Sequence, residues 1–283
     1  MTRNGLQRRQ WLERTGACAL SLAWGAAAAQ EPGLMERIKA KGALTVAVYN
    51  DYPPFNVKGV GIDIELAKLL ASELGLRLNL LTFDADEKMG DDLRNMVWKG
   101  HYLGYGPADV LLHVPVDKPL MDEERKVLIF GAYYRETLAL ARNVEKLPDL
   151  ESLAALKGRK VAVAGQSLAG WLMIGADGGA YRDQLITKLE NGAEAARLLQ
   201  RGEVDAAAGH ASELHTVLGS DKRFMIEALP MPRAPRNGWA VGMAVKKESE
   251  ELARALQSAT NKLALDGRLE AIFATAKVPW QKP

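Results

Sequence analysis

Cysteine is nearly missing from this chain of 283 residues: Cys18 is the only one. One thiol excludes an intramolecular disulfide and any cysteine-rich metal knuckle. Beyond residue 29 no stretch reaches the roughly 18 uncharged apolar residues of a membrane helix. Phosphate-binding glycine patterns and HExxH are absent, which removes two large enzyme classes. A strong excess of one charge is lacking too, with 37 Lys and Arg against 35 Asp and Glu. That balance excludes the basic footprint of a nucleic-acid binder, so no nucleic-acid partner is expected.

What is present begins with an export signal. Arg8-Arg9-Gln10-Trp11-Leu12 places paired positive charge before a short apolar stretch, Thr15 to Trp24, followed by Gly25 and Ala26 to Ala29. This reads as a cleavable signal peptide over residues 1–29, leaving Gln30 as the new N-terminus. The twin arginines with Trp11 fit the twin-arginine route, and an ordinary Sec signal carrying two arginines fits as well. The segment holds Arg3, Arg8, Arg9 and Arg14 against Glu13, so its removal takes the formal charge from +2 to −1. Cys18 leaves with it, and Thr15-Gly16-Ala17 lacks the leucine that precedes a lipidated cysteine. A cysteine-free mature chain suits an oxidising compartment, and the periplasm is the expected location.

About 250 residues remain, enough for one large core or two smaller lobes. Strand and helix signals alternate, which predicts an α/β class. Leu44, Val46 and Val48 alternate as a strand, and the prolines of Tyr49 to Asn56 force a loop. Ile62, Leu66, Leu69, Leu70 and Leu74 recur at helical spacing up to Gly75. Leu76, Leu78 and Leu80 alternate again, Glu87 to Lys99 reads as helix, and Asp109 to His113 reads as a buried strand ending on a histidine. The second half repeats the theme. Lys157-Gly158 before Val161-Ala162-Val163 echoes Lys41-Gly42 before Val46-Ala47-Val48, and Gly202 to His210 echoes Gly106 to His113. Such a repeat fits two similar lobes whose strand ends converge on a shared cleft. Ser249 as N-cap, then Leu252, Leu256 and Leu263, predict an amphipathic helix that Gly267 ends.

The ordered segments Tyr52-Pro53-Pro54-Phe55, Gly61 to Ala67, Glu124 to Phe130 with Tyr133-Tyr134, Leu156 to Ser167, Gly202 to Gly209, Gly238 to Lys247 and Asp266 to Phe273 resemble the family 3 extracellular solute-binding proteins. These are receptors of polar amino-acid ABC transporters. The resemblance implies a type II periplasmic-binding-protein fold, two α/β lobes joined by two hinge strands around a central ligand cleft. It implies one lobe over 30–135 plus 236–283 and a second over 136–235, with crossings near Tyr133 to Thr137 and Pro232 to Asn237. The implied function is capture of a small polar ligand for an ABC-type permease by a monomeric, non-enzymatic protein with no cofactor.

The resemblance also implies contacts, and here the chain departs from it. Tyr52 and Phe55 match the aromatic wall of the family cleft. An acid for the ligand's ammonium would follow the strand Val204 to Gly209, but His210 stands there. The arginine for the α-carboxylate is displaced: His113 to Pro119 replaces the usual Ser/Thr-rich segment, leaving Arg125 either reaching the cleft or lying on a solvated turn. Ser167 and Leu168 stand where a strand gives way to a helix and could take an anionic group or simply cap the helix. His113 with Val114, and His210, occupy matching positions in opposite lobes. Such a histidine pair could hold a metal, an anion or a quinone-like ligand, or be ordinary hydrogen-bonded histidines; no metal or catalytic residue is assigned.

Asp92 to Gly100, Ala108-Asp109-Val110 and Val114-Pro115 are further similar to a subgroup of solute-binding-like proteins associated with PQQ-dependent methanol and alcohol dehydrogenases. That resemblance implies a periplasmic quinoprotein dehydrogenase as the alternative partner. A third reading, a serine hydrolase, would use Gly165-Gln166-Ser167-Leu168-Ala169 as a nucleophile elbow with His210 downstream. Ala169 replaces the second glycine of that motif, and no glycine-rich oxyanion loop stands upstream.

Overall fold

The structure is a computed structural model that describes residues 33–283; the expected signal peptide and Cys18 lie outside the described residues. After α1 (Leu34–Lys41), Gly42 at φ +64° turns the chain into β1 (Ala43–Tyr49), buried at all seven positions. Burial on both faces is what a central parallel strand requires. It lies between β2 (Arg77–Phe83) and β3 (Val110–Pro115), parallel to both. The crossover to β2 is α2 (Ile62–Glu73), which buries Ile62, Leu66, Ala67 and Leu70 and stops before Gly75 at φ +68°. The helix expected around Glu87 to Lys99 is α3 (Met89–Leu93) continued by a π turn, Arg94–Trp98.

After the short α4 (Lys118–Glu123), β4 (Val127–Glu136) forms an edge of the first sheet, and one residue, Thr137, separates it from β5 (Leu138–Asn143) of a second. The second sheet adds β6 (Val161–Val163), β7 (Leu185–Ile186), β8 (Ala206–His210) and β9 (Phe224–Ala228). Helices α5 (Leu168–Gly175), α6 (Gly192–Gln200) and α7 (Ala211–Leu218) cover it. The chain then returns to the first sheet as β10 (Trp239–Lys246) and ends in α8 (Glu250–Leu265) and α9 (Arg268–Thr275). Ser249 precedes α8 as expected, but its side chain makes no capping bond.

Strand orders are β2-β1-β3-β10-β4 and β7-β6-β8-β5-β9, each with three parallel strands followed by antiparallel partners. The internal echo read in the sequence therefore has a structural counterpart. Asp109 Oδ2 accepts the Thr45 N–H at 2.7 Å, and Asp205 Oδ2 accepts the Lys160 N–H at 3.3 Å, each pinning a central strand to its parallel neighbour. Each sheet also packs its own apolar clusters. No described helix is long and apolar enough to cross a membrane.

The echo fails at one end. β8 stops on His210, but β3 runs past His113 to Pro115. His113 has φ +63° and occupies the register break where Leu112 pairs with Met243 and Val114 with Gly242. That bulge interrupts the alternation of side chains.

Candidate functional site

The loop after β1 is built by short-range bonds. Asn56, itself buried, donates its amide to the Tyr49 carbonyl at 2.8 Å, and Asn56 and Tyr52 exchange backbone bonds of 2.8 and 2.9 Å. The start of α2 then docks on this loop, with Ile62 N–H on the Pro54 carbonyl and Asp63 N–H on the Phe55 carbonyl at 3.0 Å. Gly61 allows it: φ is +149° and a Cβ there would overlap the Phe55 carbonyl.

This docking drives a carboxylate inward. Asp63 is 1% exposed and accepts from the Tyr133 hydroxyl at 2.8 Å and from His113 Nδ1 at 3.2 Å. The Tyr133 oxygen in turn accepts the His113 backbone N–H at 3.1 Å. Burial, then the Asp63 charge, hold the Tyr133 phenol well above its usual range. The His113 ring stands edge-on to Tyr52 at 4.7 Å and to Phe55 at 4.1 Å. Tyr52, Phe55 and His113, three of the expected contacts, are thus brought together.

A cavity of about 300 Å³ opens on this group, lined by Tyr52, His113, Met89, Trp239, Asp86 and Asp92 among others. Cavities of about 370 and 620 Å³ elsewhere hold none of the expected contacts. Asp92 is buried, accepting the Asp86 N–H at 2.8 Å and the Tyr49 hydroxyl at 2.9 Å, and loss of water pushes its carboxyl up to about 6. Trp239 begins β10 and meets the His210 ring edge-on at 5.5 Å. His210 donates its backbone N–H to Glu213 at 3.0 Å, while its Nδ1 lies 3.6 Å from that carboxylate and is not hydrogen-bonded.

Behind Trp239 the end of β4 carries Glu136, buried and bonded to Thr137 N–H and to the backbone and hydroxyl of Ser212 on α7. Burial raises its carboxyl above the usual range, against the opposing effects of His210 and the Ser212 hydrogen bond.

The remaining expectations resolve differently. Val114 is a core residue and not a contact: beyond the His113 bulge it joins Leu111 and Ala47 in the apolar interior. Arg125 is exposed and donates to the Asp122 carbonyl at 3.3 Å, which places it on the solvated turn. Ser167 caps α5, donating to the Ala164 carbonyl at 2.7 Å and accepting the Gly170 N–H at 3.1 Å, with Leu168 exposed beside it. No histidine bonds to that hydroxyl, which is engaged by its own helix start. His113 and His210 each have a carboxylate neighbour, Asp63 and Glu213. No cluster of three or more His, Cys, Asp or Glu able to hold a metal occurs among the described residues. Sequence reasoning missed Asp63, Asp86, Asp92, Glu136 and Trp239 as site residues, although Asp63 and Trp239 lie inside segments that carried the resemblance.

No protein-family model matches the chain. Relatives are found over most of its length. The L-cystine-binding protein of Escherichia coli (strain K12) is 25% identical over 277 residues, covering 93% of each chain. The ABC transporter glutamine-binding protein of Bacillus subtilis (strain 168) is 25% identical over 218 residues, 75% of this chain and 71% of that protein. Among solved structures, an ancestral cationic amino acid solute-binding protein superposes with a TM-score of 0.66 at 19% identity, over 86% of this chain and 99% of that one. The chain has the two-lobed α/β fold of type II periplasmic binding proteins.

Proposed function

We propose that the chain is a periplasmic solute-binding protein that captures a small polar ligand between its lobes and presents it to an ABC-type transporter. The observation that carries this reading is the position of the cavity. Tyr52 and His113 of the first lobe meet Trp239 at the return crossing there, and Trp239 touches His210 of the second lobe. A ligand held there contacts the groups that a hinge rotation would bring together. The relatives that bind cystine and glutamine align along most of the chain, which supports the same reading. Capture without chemistry fits a Ser167 hydroxyl engaged by its own helix start. Small-angle scattering of the purified protein, titrated with a panel of amines, amino acids, sugars and carboxylates, tests it. At least one solute is expected to compact the particle; a particle that no solute binds or compacts would overturn the reading.

A second reading, with a quinoprotein dehydrogenase as partner, rests on the resemblance at Asp92 to Gly100. It is favoured by the exposed apolar pair Tyr102 and Leu103 that follows this segment. Co-purification of such a dehydrogenase from the native periplasm, lost in a Tyr102→Ser/Leu103→Ser variant, is its test.

A further inference from the structure

The cavity wall is more particular than capture of a polar solute requires. Among the described residues its formally charged lining consists of two acids, Asp86 and Asp92, with no lysine or arginine. Asp92 is 3% exposed, and its hydrogen bonds come from neutral donors, the Asp86 N–H and the Tyr49 hydroxyl. The nearest guanidinium in sequence, Arg94, is taken by Asp91 at 2.7 Å. Asp86 accepts the Asn95 amide at 2.8 Å, again a neutral donor. Two carboxylates thus face a cavity that no lysine or arginine lines, and for the buried Asp92 that arrangement is costly.

A second observation points the same way. The His113 side chain is more than nine-tenths buried and lines the cavity. Its Nδ1 lies 3.2 Å from Asp63 Oδ2. Among the described residues Asp63 is the one hydrogen-bond partner of this ring, which leaves Nε2 without a protein partner. The rest of the wall includes the Tyr49, Tyr52 and Trp239 rings and the Met89 thioether. The cavity therefore offers two carboxylates and aromatic surface, with no lysine or arginine among its described lining residues. A ligand carboxylate would meet like charge there, whereas an ammonium or guanidinium would supply the missing positive charge and find rings suited to cations.

We propose that this cavity selects an organic cation without a free carboxylate, an amine or guanidine whose charged head sits at Asp92 and Asp86 beside Tyr52 and Trp239. The inference rests on the solute-binding reading of the same cleft. It separates this chain from a receptor for zwitterionic amino acids, whose carboxylate needs a clamp that Arg125, exposed and turned to Asp122, does not provide.

The test pairs each amine with the amino acid that differs by one α-carboxylate: agmatine against arginine, and cadaverine against lysine, by calorimetry on the purified protein. At least one amine is expected to bind tenfold or more tightly than its amino acid. Asp92→Asn should lose at least tenfold of that affinity with no fall in melting temperature, because it removes a buried charge and keeps the shape. Asp86→Asn, at an exposed position, should weaken the amine as well and carries little folding risk. Arginine or lysine binding as tightly as its amine would overturn the proposal, as would amine binding unchanged in both variants. If no cation binds while a neutral or anionic solute compacts the protein, the proposal falls and the solute-binding reading stands. If no solute of any class binds, both fall.

Discussion

Asp92 makes a claim about pH that separates it from a surface acid. Its carboxyl is pushed up to about 6, first by burial and further by the Asp86 and Asp91 charges, against the hydrogen bonds from the Asp86 N–H and the Tyr49 hydroxyl. In the unfolded chain an aspartate titrates near about 3.9. The folded state therefore holds the proton more tightly, so this residue's contribution to stability is greatest below about pH 4 and is lost as pH rises to about 6. The loss is on the order of 2–3 kcal/mol. Urea unfolding at pH 4.5 and 7.5 should show Asp92→Asn gaining on the wild type at the higher pH; parallel behaviour at both would mean the carboxyl is not perturbed. None of this was legible in the sequence. Asp92 stands in a run of charged residues from Asp84 to Arg94, and polarity alone does not tell which acid the fold turns inward. Tyr52 and Phe55 came into view only through the resemblance, because two aromatics beside prolines are by themselves ordinary loop packing.

Among the elements, the paired aspartates at the two strand entrances offer a comparison inside one molecule. Asp109 and Asp205 take the same topological position, and the sequence echo around them was visible because both halves use the same strand-entry grammar. Their bonds are unequal. Asp109 takes the Thr45 N–H at 2.7 Å in a partly buried setting, while Asp205 takes the Lys160 N–H at 3.3 Å in an exposed one. A hydrogen bond to a charged group is worth about 1.5–3 kcal/mol, and exposure to water reduces it. Asp109→Ala is expected to cost about 2 kcal/mol and Asp205→Ala under about 1 kcal/mol, read as the ordering of thermal melting temperatures. Equal melting temperatures would show that the shorter bond carries no extra stability. The echo misled at the strand ends. His113 and His210 look equivalent in sequence, but the backbone of His113 adopts φ +63° and bulges, which turns Val114 into the core. Non-glycine residues rarely take that conformation, so no residue-level pattern announces it.

For the whole molecule, one aromatic ring joins the apolar clusters of the two sheets. Trp239 packs against the apolar clusters of both lobes, pairs its backbone with Glu136 and meets His210 at 5.5 Å. The order of segments made the two-lobed architecture legible, yet nothing around Gly238-Trp239 marked that ring as the joint between cores, because its neighbours come from distant parts of the chain. Gly238 is needed just before it: at φ +60°, any Cβ would overlap the Glu136 carbonyl. Trp239 is also the tryptophan that lines the cavity; Trp98, Trp171 and Trp280 do not. If ligand closes the lobes, the surroundings of Trp239 change in two ways at once, through the ligand itself and through the His210 side of the cleft. Ligand should therefore shift the intrinsic fluorescence of the wild type. Trp239→Phe, which keeps an aromatic ring at the joint, should lose most of that shift while still compacting in scattering. A full shift in Trp239→Phe would place the reporting ring elsewhere and remove Trp239 from the closing interface. Loss of both shift and compaction, with ligand still bound, would show instead that the indole is required for the two lobes to move together.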